Sequence, residues 1–123
     1  AYSNHLCATA AACRELNIPS IGIVRGEMQL PLNHTLSFAE QCGMKLHYVD
    51  RTTYRSKQDE SFLARLHETY GDFFLIPEGG TNKLAVHGCA EFARTQLAPS
   101  SGQIIFLPAG TGGTTAGLLA GVN

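Results

Sequence analysis

Short apolar runs alternate with longer amphipathic stretches along the chain. Four runs rich in β-branched and aromatic residues predict strands: SIGIV (20–24), KLHYVD (45–50), FFLIP (73–77) and QIIFLP (103–108). Strands that alternate with helices are typical of βαβ units, in which helices cover both faces of a parallel sheet. The expected fold class is therefore α/β, with an open parallel sheet of βα units.

Helical spacing is found in the stretches between these runs. The predicted helices cover residues 4–16, 34–42, 59–70 and 82–97, and a fifth begins near residue 113. Ser3 or Asn4 is a candidate N-cap for the first helix, and Asn33 or Thr35 for the second. The polar segment RTTYRSKQDE (51–60) is expected at the surface.

Two of the helices have apolar residues at i, i+4 spacing. Phe62 and Leu66 form such a pair in the third helix. In the fourth, Leu84, Gly88 and Phe92 predict a continuous apolar stripe on the helix. Beside that stripe lie Ala85, Cys89 and Ala93.

Composition narrows the function classes. The chain has 123 residues, of which 44% are hydrophobic, so one globular core is expected. A net charge of -1 without a basic cluster argues against a nucleic-acid partner. No apolar stretch approaches the roughly 18 residues of a membrane span, so we expect no membrane association and a cytoplasmic location.

The cysteines favour no metal or redox chemistry. No C-x-x-C pair is formed by Cys7, Cys13, Cys42 and Cys89. We therefore expect no metal site, and we expect the four thiols to be reduced and mostly buried.

The chain also begins without Met, directly before a helical pattern, and it ends in a helix that has barely begun. We therefore expect an interior fragment of a larger protein.

Three loops of small residues precede helices: Ser3-Asn4-His5, Glu78-Gly79-Gly80-Thr81-Asn82 and Gly110-Thr111-Gly112-Gly113-Thr114. In open α/β sheets, ligands bind outside the carboxyl ends of the strands. Helix N-termini favour anions such as phosphate, glycine permits a close approach of the backbone, and hydroxyls add donors. The loops therefore predict a bound phosphate group.

The last loop matches neither common nucleotide motif. No Lys follows Gly113, which argues against a P-loop, and Thr115 stands at the third glycine position of the dinucleotide fingerprint. A small phosphorylated cofactor or substrate is the remaining ligand class. A tight strand-to-helix turn without a ligand is the alternative.

An ordered set of segments resembles the aminocyclopropane-carboxylate deaminase / D-cysteine desulfhydrase family over essentially the whole chain. These are pyridoxal phosphate enzymes of the tryptophan-synthase-β fold type (fold type II). The segments are SNHLCATAAACRELNIPSIGIVRGE, NHTLSFAEQCGMKLHYVDRTTYRSK, FLIPEGGTNKLAVHGCAEFA and GTGGTTAG.

The resemblance implies a two-domain enzyme with the cofactor between its domains. Residues 1–70 would belong mostly to a smaller, mobile α/β domain, and residues 71–123 to the larger cofactor-binding domain. A homodimer is expected for the parent protein.

The resemblance also implies roles for individual residues. Ser3 matches a catalytic serine with a proton-transfer or nucleophilic role, and Asn4 an asparagine that binds the cofactor's phenolic oxygen. The cofactor phosphate would be bound by Gly110, Thr111, Gly112, Gly113 and Thr114. The cleft would be lined by His5, Glu78, Gly79, Gly80 and Thr81.

The expected activity is that of a deaminating lyase, which releases ammonia and a 2-oxo acid from a small amino acid. By resemblance, His5 after Asn4 matches the desulfhydrase-like branch, which implies β-elimination from a D-amino acid rather than cyclopropane ring opening. A serine/threonine dehydratase-like enzyme and a non-catalytic phosphate-binding domain are the alternatives.

Two parts of the family's site lie outside the chain. They are the Schiff-base lysine and the partner of the pyridine nitrogen. The fragment alone is therefore expected to be inactive.

Overall fold

The structure is a computed structural model that describes residues 2–97 and 104–122. The chain divides into two compact units, Ala1–Phe73 and Phe74–Asn123, and each is described by itself. The first unit contains α1 (Asn4–Glu15), β1 (Ile21–Arg25), α2 (His34–Gln41), β2 (Lys45–Val49), α3 (Arg51–Arg55) and α4 (Glu60–Tyr70). The second contains a 3-10 turn (Glu78–Gly80), α5 (Lys83–Gln96) and α6 (Gly113–Val122).

The first unit confirms the first half of the predicted alternation. Strands β1 and β2 pair in parallel, with Ile21 opposite Lys45 and Arg25 opposite Val49. The capping predictions also hold, because the Asn33 side chain accepts a hydrogen bond from the Leu36 N–H at 3.1 Å. The α/β class is thus shown as a small two-stranded parallel sheet with six helices within the described residues.

Two apolar clusters hold this unit together. One is formed by Ala10, Ala39, Cys42 and Met44, with Leu6 and Leu46 packed against it. The other contains Val49 and the predicted pair Phe62 and Leu66, which are 4% and 5% exposed. The i, i+4 spacing therefore identified the buried face of α4 correctly.

The two later strands were predicted wrongly. Residues 73–77 and 104–108 contain no strand, and Gln103 lies outside the described residues. A strand requires a neighbour that pairs with its N–H and C=O groups, and neither segment has such a neighbour in the described part of the chain. Most of their apolar side chains remain exposed, to 69% for Phe74 and 91% for Phe106.

The predicted apolar stripe on the fourth helix is confirmed only in part, because its flanking residues Ala85 and Cys89 are half-buried and Ala93 is buried. Leu84 and Phe92 are exposed, whereas Ala90 and Ala93 are the buried residues of α5. Helix α6 packs on α5 through glycine, since an added Cβ on Gly121 would lie 2.5 Å from the Cβ of Ala93. A partner that approaches through its backbone selects small residues, so the larger apolar side chains lie on another face.

The polar segment 51–60 is mostly exposed, as predicted, although it contains the short helix α3. The four cysteines are free, with Cys42 buried and the other three half-buried. Among the helices that the structure describes, none has the length and apolar character needed to cross a bilayer.

Candidate functional site

Two of the three predicted loops lie in the second unit, and the structure brings them together. The hydroxyl groups of Thr81 and Thr111 form a short hydrogen bond, although the two residues are 30 positions apart in the sequence. Thr81 belongs to the loop after residues 73–77, and Thr111 to the loop before α6. The two loops are therefore parts of one site.

Each threonine of this pair packs against a glycine of the opposite loop. A Cβ on Gly79 would lie 2.5 Å from the Cγ2 of Thr111, and a Cβ on Gly113 would lie 2.6 Å from the Oγ1 of Thr81. Real Cβ atoms essentially never approach other atoms this closely. The four residues Gly79, Thr81, Thr111 and Gly113 are called the glycine–threonine interlock below.

The backbone of the first loop is shaped by consecutive left-handed residues. Gly79 and Gly80 both have φ +73°, a conformation that glycine adopts without steric cost. The Gly80 N–H donates to the carbonyl of Pro77 at 2.8 Å, which closes the turn. Asn82 then caps α5 by accepting a hydrogen bond from the Ala85 N–H at 2.8 Å. This cap fixes the end of the loop that carries Thr81.

The second loop fits a phosphate group by its shape and donors. Gly112 has φ +83°, and apart from the adjacent residues no atom of the described residues lies within 4 Å of a Cβ built on Gly110 or Gly112. Because α6 begins at Gly113, the first-turn N–H groups have no partner within the helix. Thr111 and Thr114 are exposed and supply hydroxyl groups beside them. Such N–H and O–H donors at a helix N-terminus suit a phosphate dianion.

The third loop, Ser3-Asn4-His5, lies in the first unit. Ser3 is the N-cap of α1 and accepts a hydrogen bond from the Leu6 N–H at 3.3 Å, which leaves its own O–H proton available. Asn4 is exposed as the first residue of the helix, and His5 is half-buried. The capping role of Ser3 is confirmed, and the catalytic and cofactor-binding roles of these residues stay predictions.

Sequence reasoning missed the function of the glycines inside α6. Gly117 and Gly121 follow Gly113 at intervals of four residues, which places all three on one helix face. A Cβ on Gly117 would lie 2.7 Å from the carbonyl oxygen of Val86 in α5. Gly117 thus belongs to a helix contact rather than to the loop before α6, and the repeated interval was the signal available in the sequence.

Comparisons with known proteins assign no family to this arrangement. No family model matches the chain, and a search of curated proteins returns no match. Within residues 2–97 and 104–122, no three His, Cys, Asp or Glu side chains are grouped as a metal site requires. The paired loops at the start of α6 are therefore the candidate functional site.

Proposed function

We propose that the chain is part of a pyridoxal-phosphate-dependent deaminating lyase that acts on a small amino acid. The observation that carries this proposal is the interlock, which joins the Glu78–Asn82 and Gly110–Thr114 loops at the N-terminus of α6. It supports a ligand site because two glycine-rich loops converge where the first-turn N–H groups of α6 have no partner within the helix. The sequence resemblance supplies the identity of the ligand and the class of reaction.

The phosphate of the cofactor would be held by the loop of Gly110, Thr111, Gly112, Gly113 and Thr114. The open space at Gly110 and Gly112 permits the phosphate oxygens to approach the backbone. The dipole of α6 stabilises the negative charge there. When bound, pyridoxal phosphate acts as an electron sink for the carbon atom that loses a proton.

Ser3 would act on the substrate, and Asn4 would contact the cofactor ring. The Ser3 O–H proton is not used by the N-cap bond, so this hydroxyl can donate to the substrate or exchange a proton with it. The exposed amide of Asn4 can orient a ring through its phenolic oxygen. By the sequence resemblance, the cleft-lining residues would be His5, Glu78, Gly79, Gly80 and Thr81.

The proposal includes a two-domain parent of fold type II with a larger sheet. The exposed apolar side chains of Phe74 and Phe106 would be covered by the rest of the parent protein. A cytoplasmic homodimer, and a cofactor lysine outside residues 1–123, complete the proposal.

The test uses the full-length protein that contains this chain. Titration with pyridoxal phosphate, followed by absorbance, should show saturable binding. Release of ammonia and a 2-oxo acid should then be measured with D-cysteine, aminocyclopropane carboxylate, L-serine and L-threonine.

Turnover of D-cysteine or aminocyclopropane carboxylate would support the proposal. Turnover restricted to L-serine or L-threonine would instead favour the dehydratase alternative. Binding without any turnover would favour a phosphate-binding domain, and a protein that does not bind the cofactor would overturn the proposal.

A further inference from the structure

We propose that Thr81 is a positioning residue that directs the hydroxyl proton of Thr111 toward the phosphate group bound at α6. The inference rests on the proposed function and extends it to a residue that does not itself contact the phosphate group. Thr81 is half-buried, whereas Thr111 is exposed on the loop that would hold the phosphate.

The argument begins with the number of hydroxyl protons. Each threonine hydroxyl has one proton to donate and two lone pairs that accept. The bond between Thr81 and Thr111 uses one proton, and either oxygen can provide it. If Thr81 donates, the proton of Thr111 is left for another acceptor. If Thr111 donates, that proton is already used.

A bound phosphate selects the first arrangement. The dianion is an acceptor without protons, so it favours the Thr111 rotamer that donates to it. Thr111 then accepts from Thr81, and the two bonds form a chain in which each strengthens the other. Thr81 thus stabilises the bound state through Thr111.

Packing restricts both side chains to this geometry. Thr81 Oγ1 lies over Gly113 and Thr111 Cγ2 over Gly79, each at a distance that a Cβ would not permit. Threonine is also β-branched, which limits rotation at χ1. The two hydroxyl groups are therefore held facing each other before a ligand binds.

The experiment compares Thr81→Val with Thr81→Ser in the full-length protein. Valine keeps the shape of threonine and removes the hydroxyl, whereas serine keeps the hydroxyl. Affinities for pyridoxal phosphate and for inorganic phosphate are measured by titration. We expect Thr81→Val to weaken both about three- to tenfold, which is the effect of one hydrogen bond, and Thr81→Ser to restore them.

The matched control is Thr95→Val, which removes a hydroxyl that donates to the Glu91 carbonyl within α5 at 2.9 Å. It should leave both affinities at the parental value. If Thr81→Val does not fold, Thr81→Ala removes the same hydroxyl and leaves a smaller side chain. The ³¹P chemical shift of the bound phosphate provides a readout that is independent of activity.

The outcomes separate this inference from the proposed function. Parental affinity in a folded Thr81→Val or Thr81→Ala protein would overturn the positioning role and leave the proposed function standing. Binding of inorganic phosphate that depends on Thr81, without binding of pyridoxal phosphate, would support the positioning role and overturn the cofactor assignment. A parental protein that binds neither ligand would overturn both.

Discussion

Gly117 of α6 lies so close to Cys89 of α5 that a Cβ atom on the glycine would overlap the Cβ of the cysteine. The carbonyl oxygen of Val86 would lie 2.7 Å from the same added atom. Gly117 is also buried, so the contact contributes to the core of the second unit. The two helices therefore pack with their backbones in close approach.

Gly117→Ala should destabilise the protein for this reason. An added methyl group would have to push α6 away from α5, and overpacking of a core typically costs about 1–3 kcal/mol. Chemical denaturation of the full-length protein, with the free energy of unfolding extrapolated to water, is the measurement.

Gly88→Ala is the matched control, because nothing in the described part of the chain lies within 4 Å of a Cβ on this helical glycine. It should increase stability by roughly 0.5–1 kcal/mol, since alanine is favoured over glycine inside a helix. Equal effects of the two substitutions would show that the α5–α6 contact is not tight.

The two units differ in how well the sequence predicted them. In the first, Phe62 and Leu66 bury their side chains within the unit, so spacing alone identified the face. In the second, the burial of Ala93 and the exposure of Phe92 depend on a partner helix that packs through glycine. Periodicity assumes that large apolar residues define the buried face, and a glycine contact reverses that rule.

The sequence also predicted the candidate site only in part: it indicated the two loops but not the contact between them. Loop composition was sufficient to select residues 78–82 and 110–114, because glycine and threonine before a helix indicate an anion site. The hydrogen bond between Thr81 and Thr111 links positions far apart in the sequence, and no local pattern specifies such a pairing. Tertiary structure was required to show that the two loops form one site.

Asp50 should make the segment that follows β2 sensitive to acid. The Thr53 hydroxyl donates to the Asp50 carboxylate at 2.5 Å, and the N–H groups of Thr53 and Thr52 donate at 3.0 and 2.8 Å. These bonds, the Thr53 hydroxyl first, lower the pKa of Asp50 below its ordinary value of 3.8. The stabilisation of α3 is therefore fully present above pH 3.8, and it is lost as the pH falls through the lowered pKa.

Carboxyl chemical shifts followed by NMR during an acid titration are the measurement. Thr53→Val should raise the pKa of Asp50, because it removes the largest stabilising bond to the charged form. Thr69→Val is the control, because the hydroxyl that it removes donates to the Arg65 carbonyl at 2.8 Å. An Asp50 pKa that is the same in the parental and Thr53→Val proteins would contradict the proposed cause.

Ser3→Ala should impair both helix capping and turnover. Loss of an N-cap typically costs about 1 kcal/mol of stability, and loss of a proton-transfer group lowers turnover by about 10²–10⁴-fold. Thermal unfolding and steady-state kinetics of the full-length enzyme separate the two effects. Cofactor affinity should change much less than turnover, since the Ser3 hydroxyl is proposed to face the substrate.

Asn33→Ala is the matched control because Asn33 caps α2 in the same way that Ser3 caps α1. It should lower stability by a similar amount and leave turnover unchanged. If both variants lose stability and neither loses turnover, Ser3 is only a cap.

Asn4→Ala should instead alter the absorbance of the bound cofactor, because the Asn4 amide is proposed to contact the cofactor ring.

Gly112→Ala is expected to weaken the affinity for pyridoxal phosphate by at least about tenfold, which is about 1.4 kcal/mol. Gly112 has φ +83°, and a residue with a Cβ is strained in this region. Relief of the strain would rotate the backbone and redirect the N–H groups that precede α6.

Gly43→Ala is the matched control, because Gly43 has φ +85° and equally open surroundings among the described residues, but lies in the first unit. Both variants should lose similar stability in thermal unfolding, and only Gly112→Ala should lose affinity in an absorbance titration of the full-length protein. Parental affinity in a folded Gly112→Ala protein would mean that the loop is only a turn into α6, and it would overturn the proposed binding of the phosphate by residues 110–114.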